Sequence, residues 1–257
     1  MFEYSSVTEL PGHKITKDQL KRMYHRYRFA QIYCEHKKVL EAACGGGMGL
    51  GYLKRVAHSV IGGDIDNQIL KIPETYYKDR EGIEIQYFDA QALPYADDSF
   101  DVVLLYEAVY YLPDFNTFIN ESIRALSTNG TLIICTSNKE WSDFNPSPYS
   151  VRYYSASELY DILRNKFSSV EIYGAFPTEP GNIKEYFVSF IKKAAVKMNL
   201  MPKTMKGKKL FKRIFMGKLV EMPYEITEGI FEYEEPKLLP DDKPINNFKV
   251  LYAVAKH

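Results

Sequence analysis

An apolar run that ends in a carboxylate and breaks directly into glycines constrains this chain more than any other stretch. Val39-Leu40-Glu41-Ala42-Ala43-Cys44-Gly45-Gly46-Gly47-Met48-Gly49 reads as a buried β-strand followed by a turn. In such a turn the backbone can approach a ligand where a side chain would intrude. A second apolar segment, Val60-Ile61-Gly62-Gly63-Asp64, follows. Its terminal acid lies about 20 residues after the first strand's, the spacing that puts a carboxylate over ribose hydroxyls. Residues 83–88 read as a third strand ending at Asp89-Ala90, and residues 100–106 as a fourth ending beside Glu107. The carboxyl ends of strands in an open parallel sheet line one crevice, so these acids converge on one ligand.

The glycine spacing narrows the ligand. A dinucleotide fingerprint, G-x-G-x-x-G, fails: counted from Gly45 and Gly47 the third position is Leu50, and from Gly47 and Gly49 it is Tyr52. The phosphate-cradling G-x-x-x-x-G-K-[ST] pattern is missing as well, because Tyr52 rather than lysine follows Gly51. A ligand with adenosine and ribose but no phosphate needs neither. S-adenosylmethionine is such a ligand, and carboxylates and aromatic faces favour its cationic sulfonium.

With these motifs the chain resembles the class I S-adenosylmethionine-dependent methyltransferases of the small-molecule type. The resemblance runs through residues 39–49, Gly62-Gly63-Asp64-Ile65-Asp66, Phe88-Asp89-Ala90, Leu93-Pro94-Tyr95 and Asp98-Ser99-Phe100-Asp101-Val102-Val103, and it covers roughly residues 26–176 and 248–257. At residues 127–130, Ser-Thr-Asn-Gly stands where Lys-Pro-Gly-Gly is commoner. The resemblance implies an α/β fold: a doubly wound, seven-stranded, mostly parallel Rossmann-like sheet, its last strand antiparallel between the fifth and sixth. It implies a cofactor set of Tyr27, Glu41, Ala43, Gly45, Gly47, Asp64, Ile65, Asp89, Ala90 and Tyr106. Glu41 would approach the methionine ammonium, Gly45 and Gly47 would line the turn, and Asp64 would take the ribose hydroxyls. Asp89 and the Ala90 amide would read adenine, with Tyr106 beneath the methionine portion. Ala43 stands where many members have glycine.

Thr16-Lys17-Asp18-Gln19 has the form of a capping box, and Leu20, Met23, Tyr24, Tyr27 and Ala30 recur with helical spacing. A helix therefore precedes the first strand, with His25, Arg26 and Tyr27 placed to form part of a lid. Helices alternate with the four strands and with later strands at 131–136 and 169–173, which argues for a parallel, doubly wound sheet. The division expected is a helical lid at 1–37, the core at 38–175, an inserted cap or arm at 176–247, and a final core strand at 248–257. Residues 141–154, rich in Pro, Ser, Asn and Tyr, read as a long loop at the binding edge.

The chain's 33 basic and 33 acidic residues cancel, so no global field draws it to nucleic acid or membrane. Ten Lys and Arg residues between 191 and 218, with no acid among them, interleave with apolar positions. A basic amphipathic surface for an anionic substrate, a polyanion or a membrane face is one reading, and a solvated helix pair balanced by the acidic stretch at 221–242 the favoured one. Leu105-Tyr106-Glu107-Ala108 stands where base-methylating enzymes carry N-P-P-Y, which argues against a nucleic-acid substrate. Cys34, Cys44 and Cys135 form no C-x-x-C pair or even disulfide framework, and no metal cluster is legible. With no leader pattern and no apolar run of about 20 residues, the expected location is cytoplasmic.

The acceptor is less legible, because methyl transfer from a sulfonium needs positioning more than a nucleophilic residue. Tyr110 and Tyr111 follow the fourth strand where many relatives carry histidine, and are the candidate catalytic residues. Glu107, His25, Tyr149, Arg152, Tyr153 and Tyr154 are weaker ones. The tyrosine-rich rim points to a small polar metabolite, such as a sugar or glycan precursor. The alternative is a noncatalytic module that binds the cofactor to regulate a partner. A nicotinamide oxidoreductase and an aminopropyl transferase are more distant readings.

Overall fold

The computed structural model describes residues 8–147, 149–178, 219–240 and 244–257. In chain order its elements begin with β1 (Lys14–Thr16), α1 (Lys17–Cys34), β2 (Lys38–Ala42), α2 (Leu50–Lys54), β3 (Ser59–Asp64), α3 (Asn67–Tyr77), β4 (Ile83–Tyr87) and β5 (Phe100–Tyr106). After a 3-10 turn (Val109–Tyr111) come α4 (Phe115–Ala125), β6 (Leu126–Ser137), α5 (Ala156–Leu163), β7 (Ser169–Pro177), β8 (Leu219–Glu221), β9 (Lys237–Leu238) and β10 (Phe248–Lys256).

The main sheet has the order β4-β3-β2-β5-β6-β10-β7-β9. The pairings from β4 through to β6 are parallel, while β10 lies antiparallel between β6 and β7, as the family topology implies. Winding proceeds outward from β2 to β4 and then returns to β5 and β6, so the order reverses between β2 and β5. That switch point opens a crevice at the strands' carboxyl ends. β2 and β5 are buried on both faces, which is why they read as near-continuous apolar runs rather than alternating ones.

Two departures from the expected sheet have local causes. An eighth strand, β9, pairs Leu238 with Tyr173 and Lys237 with Gly174, using the outer edge that β7 would otherwise leave open. The strand expected at 131–136 begins at Leu126 instead, with a register shift between the Phe100 and Val102 pairings that takes up Ser127-Thr128-Asn129-Gly130.

The capping box of α1 forms as its sequence predicts: Thr16 Oγ1 accepts from the Gln19 amide at 3.1 Å and Gln19 Oε1 from the Thr16 amide at 2.9 Å. Met23, Tyr24, Tyr27, Ala30 and Cys34 form its buried face. Gly49 is the seat for this helix: a Cβ there would stand 1.9 Å from Cε1 of Tyr27. Residues 219–240 then strap the outside of α1 to the glycine turn. β8 pairs with β1, Ile226 donates to the Met48 carbonyl at 2.9 Å, and Glu225 meets Arg80 at 2.8 Å. The basic run at 191–218 lies outside the described residues.

Candidate cofactor and acceptor site

A cavity of about 430 Å³ occupies the switch-point crevice, roofed by α1 and residues 8–9. Its wall brings together Tyr27, Glu41, Ala43, Gly45, Asp64, Ile65, Asp89, Ala90, Tyr106, Tyr110 and Tyr111 from the sequence-derived candidates. Gly47 is the exception within the turn. With φ at +71° it bends the chain, but it faces α3, where an added Cβ would stand 2.6 Å from Cβ of Pro73. Its part is to shape the turn rather than to line the cavity.

Glu41 is the penultimate residue of β2 and is 1% exposed. Its Oε1 accepts from the Tyr27 hydroxyl at 2.6 Å, while Oε2 is buried with no hydrogen-bond partner. Burial pushes this carboxyl up to about 7, against the opposing pull of Tyr27 and Arg26 and with a further push from Asp64. Arg26 lines the same cavity, and its Nε is also buried and without a partner. A carboxyl and a guanidinium close enough to perturb each other thus each hold a buried polar atom without a partner in the protein, an arrangement that costs free energy.

Asp64 ends β3. Its Oδ2 accepts from the Gly45 amide at 2.9 Å and its Oδ1 from the Asp66 amide at 3.0 Å, which ties the second strand's acid to the glycine turn. Burial raises its pKa, although the backbone donors counteract this. Each oxygen retains a second lone pair for a hydroxyl donor. Gly63, just before it, makes room for the Phe88 ring, which an added Cβ would meet at 1.9 Å. Asp89 is oriented by the Gln91 amide at 2.8 Å, beside Ala90 and the 44% exposed Ile65 at the rim.

Ala43 has φ at +58°. The left-handed backbone explains why glycine is common there, a cost invisible in the sequence. Tyr106 lies edge-on to Tyr27 with ring centroids 5.4 Å apart, so aromatic groups flank Glu41. Just after β5, Tyr110 donates to Glu107 Oε2 at 3.1 Å, and the Tyr111 hydroxyl meets Ser147 Oγ at 2.5 Å. Glu107 lines the cavity as well.

Other candidates fall elsewhere. His25 turns away from the cavity: its Nε2 meets the Glu232 carbonyl at 3.1 Å and its ring lies between Phe176 and Tyr233, because seating Tyr27 on Gly49 fixes the rotation of α1. Tyr149 is exposed, and Arg152 is drawn out to Glu158. Tyr153 stacks behind Tyr110 at 4.3 Å, and Tyr154 packs on Phe115 at 5.0 Å. The wall also holds Arg22, Gln19, Thr8, Glu9, Met48 and Ser137, which were not singled out in the sequence. For Arg22 a signal exists: Arg22 and Arg26 are one helical turn apart, on a helix with an apolar buried face.

A methyltransferase-domain family model matches residues 40–134, the span that carries β2 to β6 and every strand-end acid. The phthiotriol/phenolphthiotriol dimycocerosates methyltransferase 1 of Mycobacterium ulcerans is 35% identical over 158 residues, 57% of this chain and 58% of the relative. Its Mycobacterium leprae counterpart is 34% identical over 161 residues, 58% and 59% of the two chains. The chain thus spans under two thirds of these relatives' length. In fold it is similar to an S-adenosylmethionine-dependent methyltransferase from Archaeoglobus fulgidus, with a TM-score of 0.58 and 15% identity over 92% of this chain and 94% of that one. Over residues 40–134 the chain matches a methyltransferase domain, and in sequence and fold it is similar to the class I S-adenosylmethionine-dependent methyltransferases. The family's cofactor is S-adenosylmethionine, consistent with the absence of both phosphate-binding glycine motifs. Among the described residues no helix is long and apolar enough to cross a membrane, and no group of His, Cys, Asp and Glu could hold a metal ion.

Proposed function

We propose that this chain binds S-adenosylmethionine in the switch-point cavity and transfers its methyl group to a small polar acceptor, such as a sugar or glycan precursor. The observation that carries the reading is the unsatisfied pair, Glu41 Oε2 and Arg26 Nε, in one wall. An amino-acid tail bears an ammonium and a carboxylate on one carbon, which is the complement of that pair. Glu41 then receives the ammonium and Arg26 the carboxylate. Asp64 takes the ribose hydroxyls, Asp89 and Ala90 the adenine edge, and Ile65 a flat face at the rim. Ala43 and Gly45 supply close backbone, Gly47 shapes the turn, and Tyr27 and Tyr106 flank the cationic end.

When bound, the cofactor supplies a methyl group already activated on sulfonium. The protein's share is to hold the acceptor in line and exclude water, which can contribute about 7 to 11 kcal/mol. Tyr110 and Tyr111 form the rim that meets the acceptor. A larger, apolar acceptor is the second reading, favoured by the relatives named for phthiotriol and phenolphthiotriol dimycocerosates.

Calorimetry with S-adenosylmethionine, followed by transfer of labelled methyl to panels of sugars, polyols and long-chain alcohols, tests the proposal. Binding with transfer to the polar panel supports it, and transfer confined to the long-chain panel selects the second reading. Binding with no transfer to any acceptor favours a noncatalytic module, and absence of binding overturns the assignment of the cavity.

A further inference from the structure

Glu107 directly follows β5 with φ at +52°, a left-handed backbone that a glutamate adopts only under constraint. Its amide donates to the Cys135 carbonyl at 2.8 Å, which anchors the bend to β6. Glu107 lines the cavity. Oε2 is pinned by two donors, the Tyr110 hydroxyl at 3.1 Å and Ser137 Oγ at 3.3 Å. Oε1 has only the thiol of Cys135, at 4.0 Å. Among the described residues no Lys, Arg or His nitrogen lies within 4.0 Å of either oxygen, so this anion is fixed in place without an ion-pair partner. A pinned oxygen, a poorly partnered one beside it, a strained backbone and an open cavity are the features of a group held ready to accept a proton.

We propose that Glu107 is the general base of this site and that the acceptor atom is a hydroxyl oxygen. The inference rests on the methyl-transfer reading and specifies its substrate as an alcohol or phenol rather than an amine. Amine nitrogen must arrive unprotonated to attack. A buried carboxylate beside it would hold it as ammonium, and Arg22 and Arg26 in the same wall would repel that ammonium. A hydroxyl reverses both arguments: the carboxylate takes its proton and the guanidiniums favour the charge that develops on oxygen. In the step, the acceptor O–H bond breaks and its proton moves to Oε1 as the oxygen lone pair forms the O–CH3 bond. The CH3–S bond breaks with its electron pair left on sulfur. Sulfonium and carboxylate are neutralised together, leaving an ether, a thioether and a carboxylic acid.

Every element around Glu107 contributes to its titration. Burial raises its pKa and Glu9 from the N-terminal segment adds to that, whereas Arg26 and Arg22 from α1 and the Tyr110 hydrogen bond lower it. Cys135 of β6, Tyr153 from the loop and Tyr252 of β10 also feel its charge. Burial dominates, so the base form is lost on acidification from above the ordinary carboxylate range.

The test gives the protein radiolabelled S-adenosylmethionine with benzyl alcohol, phenol, glycerol and dodecane-1,2-diol, each beside the amine of matched skeleton. Label in a base-stable ether is expected, with Glu107→Gln lowering kcat by about 10²- to 10⁴-fold while S-adenosylhomocysteine affinity by calorimetry stays within about twofold. Infrared titration of the ligand-free protein supplies a readout independent of turnover. A carboxyl signal absent from Glu107→Gln should titrate above the ordinary glutamate range, and should move higher in Tyr110→Phe, which loses a donor to the anion. Tyr110→Phe also serves if Glu107→Gln does not fold, through the same upward shift in the acid limb of kcat/KM. Transfer confined to amines, no transfer to any hydroxyl probe, an unchanged kcat in Glu107→Gln, or a carboxyl that stays protonated throughout would each overturn the proposal. If S-adenosylhomocysteine does not bind the parent protein, the failure belongs to the cofactor assignment instead.

Discussion

Glu41 links pH, stability and cofactor affinity in a way that can be measured. Its ordinary value is 4.5 and burial pushes it up to about 7, so the folded chain holds the proton more tightly than the unfolded one. The ligand-free protein therefore loses stability as pH rises from about 4.5 to about 7, by roughly 3 kcal/mol at about 1.36 kcal/mol per unit, and the loss levels off above that. An ammonium placed against Oε2 returns the carboxyl to its ordinary range or below. If the bound group titrates at about 4.5, linkage makes S-adenosylmethionine affinity rise about 40-fold from about pH 5 to about pH 7, with roughly 0.9 proton released per cofactor near pH 6. Titration calorimetry across that range, in buffers of different ionisation enthalpy, measures both quantities. Glu41→Gln should flatten the profile and weaken binding, while raising the melting temperature of the ligand-free protein at about pH 8 and not at about pH 4. Affinity that does not change with pH, with no proton released, would refute Glu41 as the partner of the cofactor's ammonium.

Arg26→Met should weaken S-adenosylmethionine by about tenfold to a hundredfold, the range for a hydrogen bond to a charged group, and leave decarboxylated S-adenosylmethionine unaffected. Equal losses for both ligands, by calorimetry, would remove the carboxylate from Arg26. Gly49→Ala drives a methyl into the Tyr27 ring and should cost about 2 kcal/mol in denaturant unfolding together with cofactor affinity; an unchanged midpoint would contradict the contact. Ala43→Gly relieves a left-handed alanine and should stabilise the fold by about 0.5 to 1 kcal/mol after the added glycine entropy, whereas destabilisation would count against the strain.

The central strands, their parallel order and the acids at their ends were legible in the sequence because each is a local pattern: an apolar run, a glycine turn, an acid at the terminus. The capping box at Thr16 was legible for the same reason, since donor and acceptor are three residues apart. The face that α1 turns to the cavity was not. His25 and Tyr27 are two residues apart, and only the seat at Gly49 decides that Tyr27 reaches Glu41 while His25 meets Glu232. Arg22 and Arg26 follow from that rotation, because an arginine on an amphipathic helix reads as solvent-facing until the helix is laid over a crevice. Gly47 and Gly45 look alike in sequence, yet one faces α3 and the other the cavity. The eighth strand and the bond from Ile226 to Met48 join residues far apart along the chain, for which no periodicity exists to read. Periodicity and terminal residues encode what a segment becomes; the side chain that ends beside a ligand is set by how segments pack, and that is a property of the whole fold.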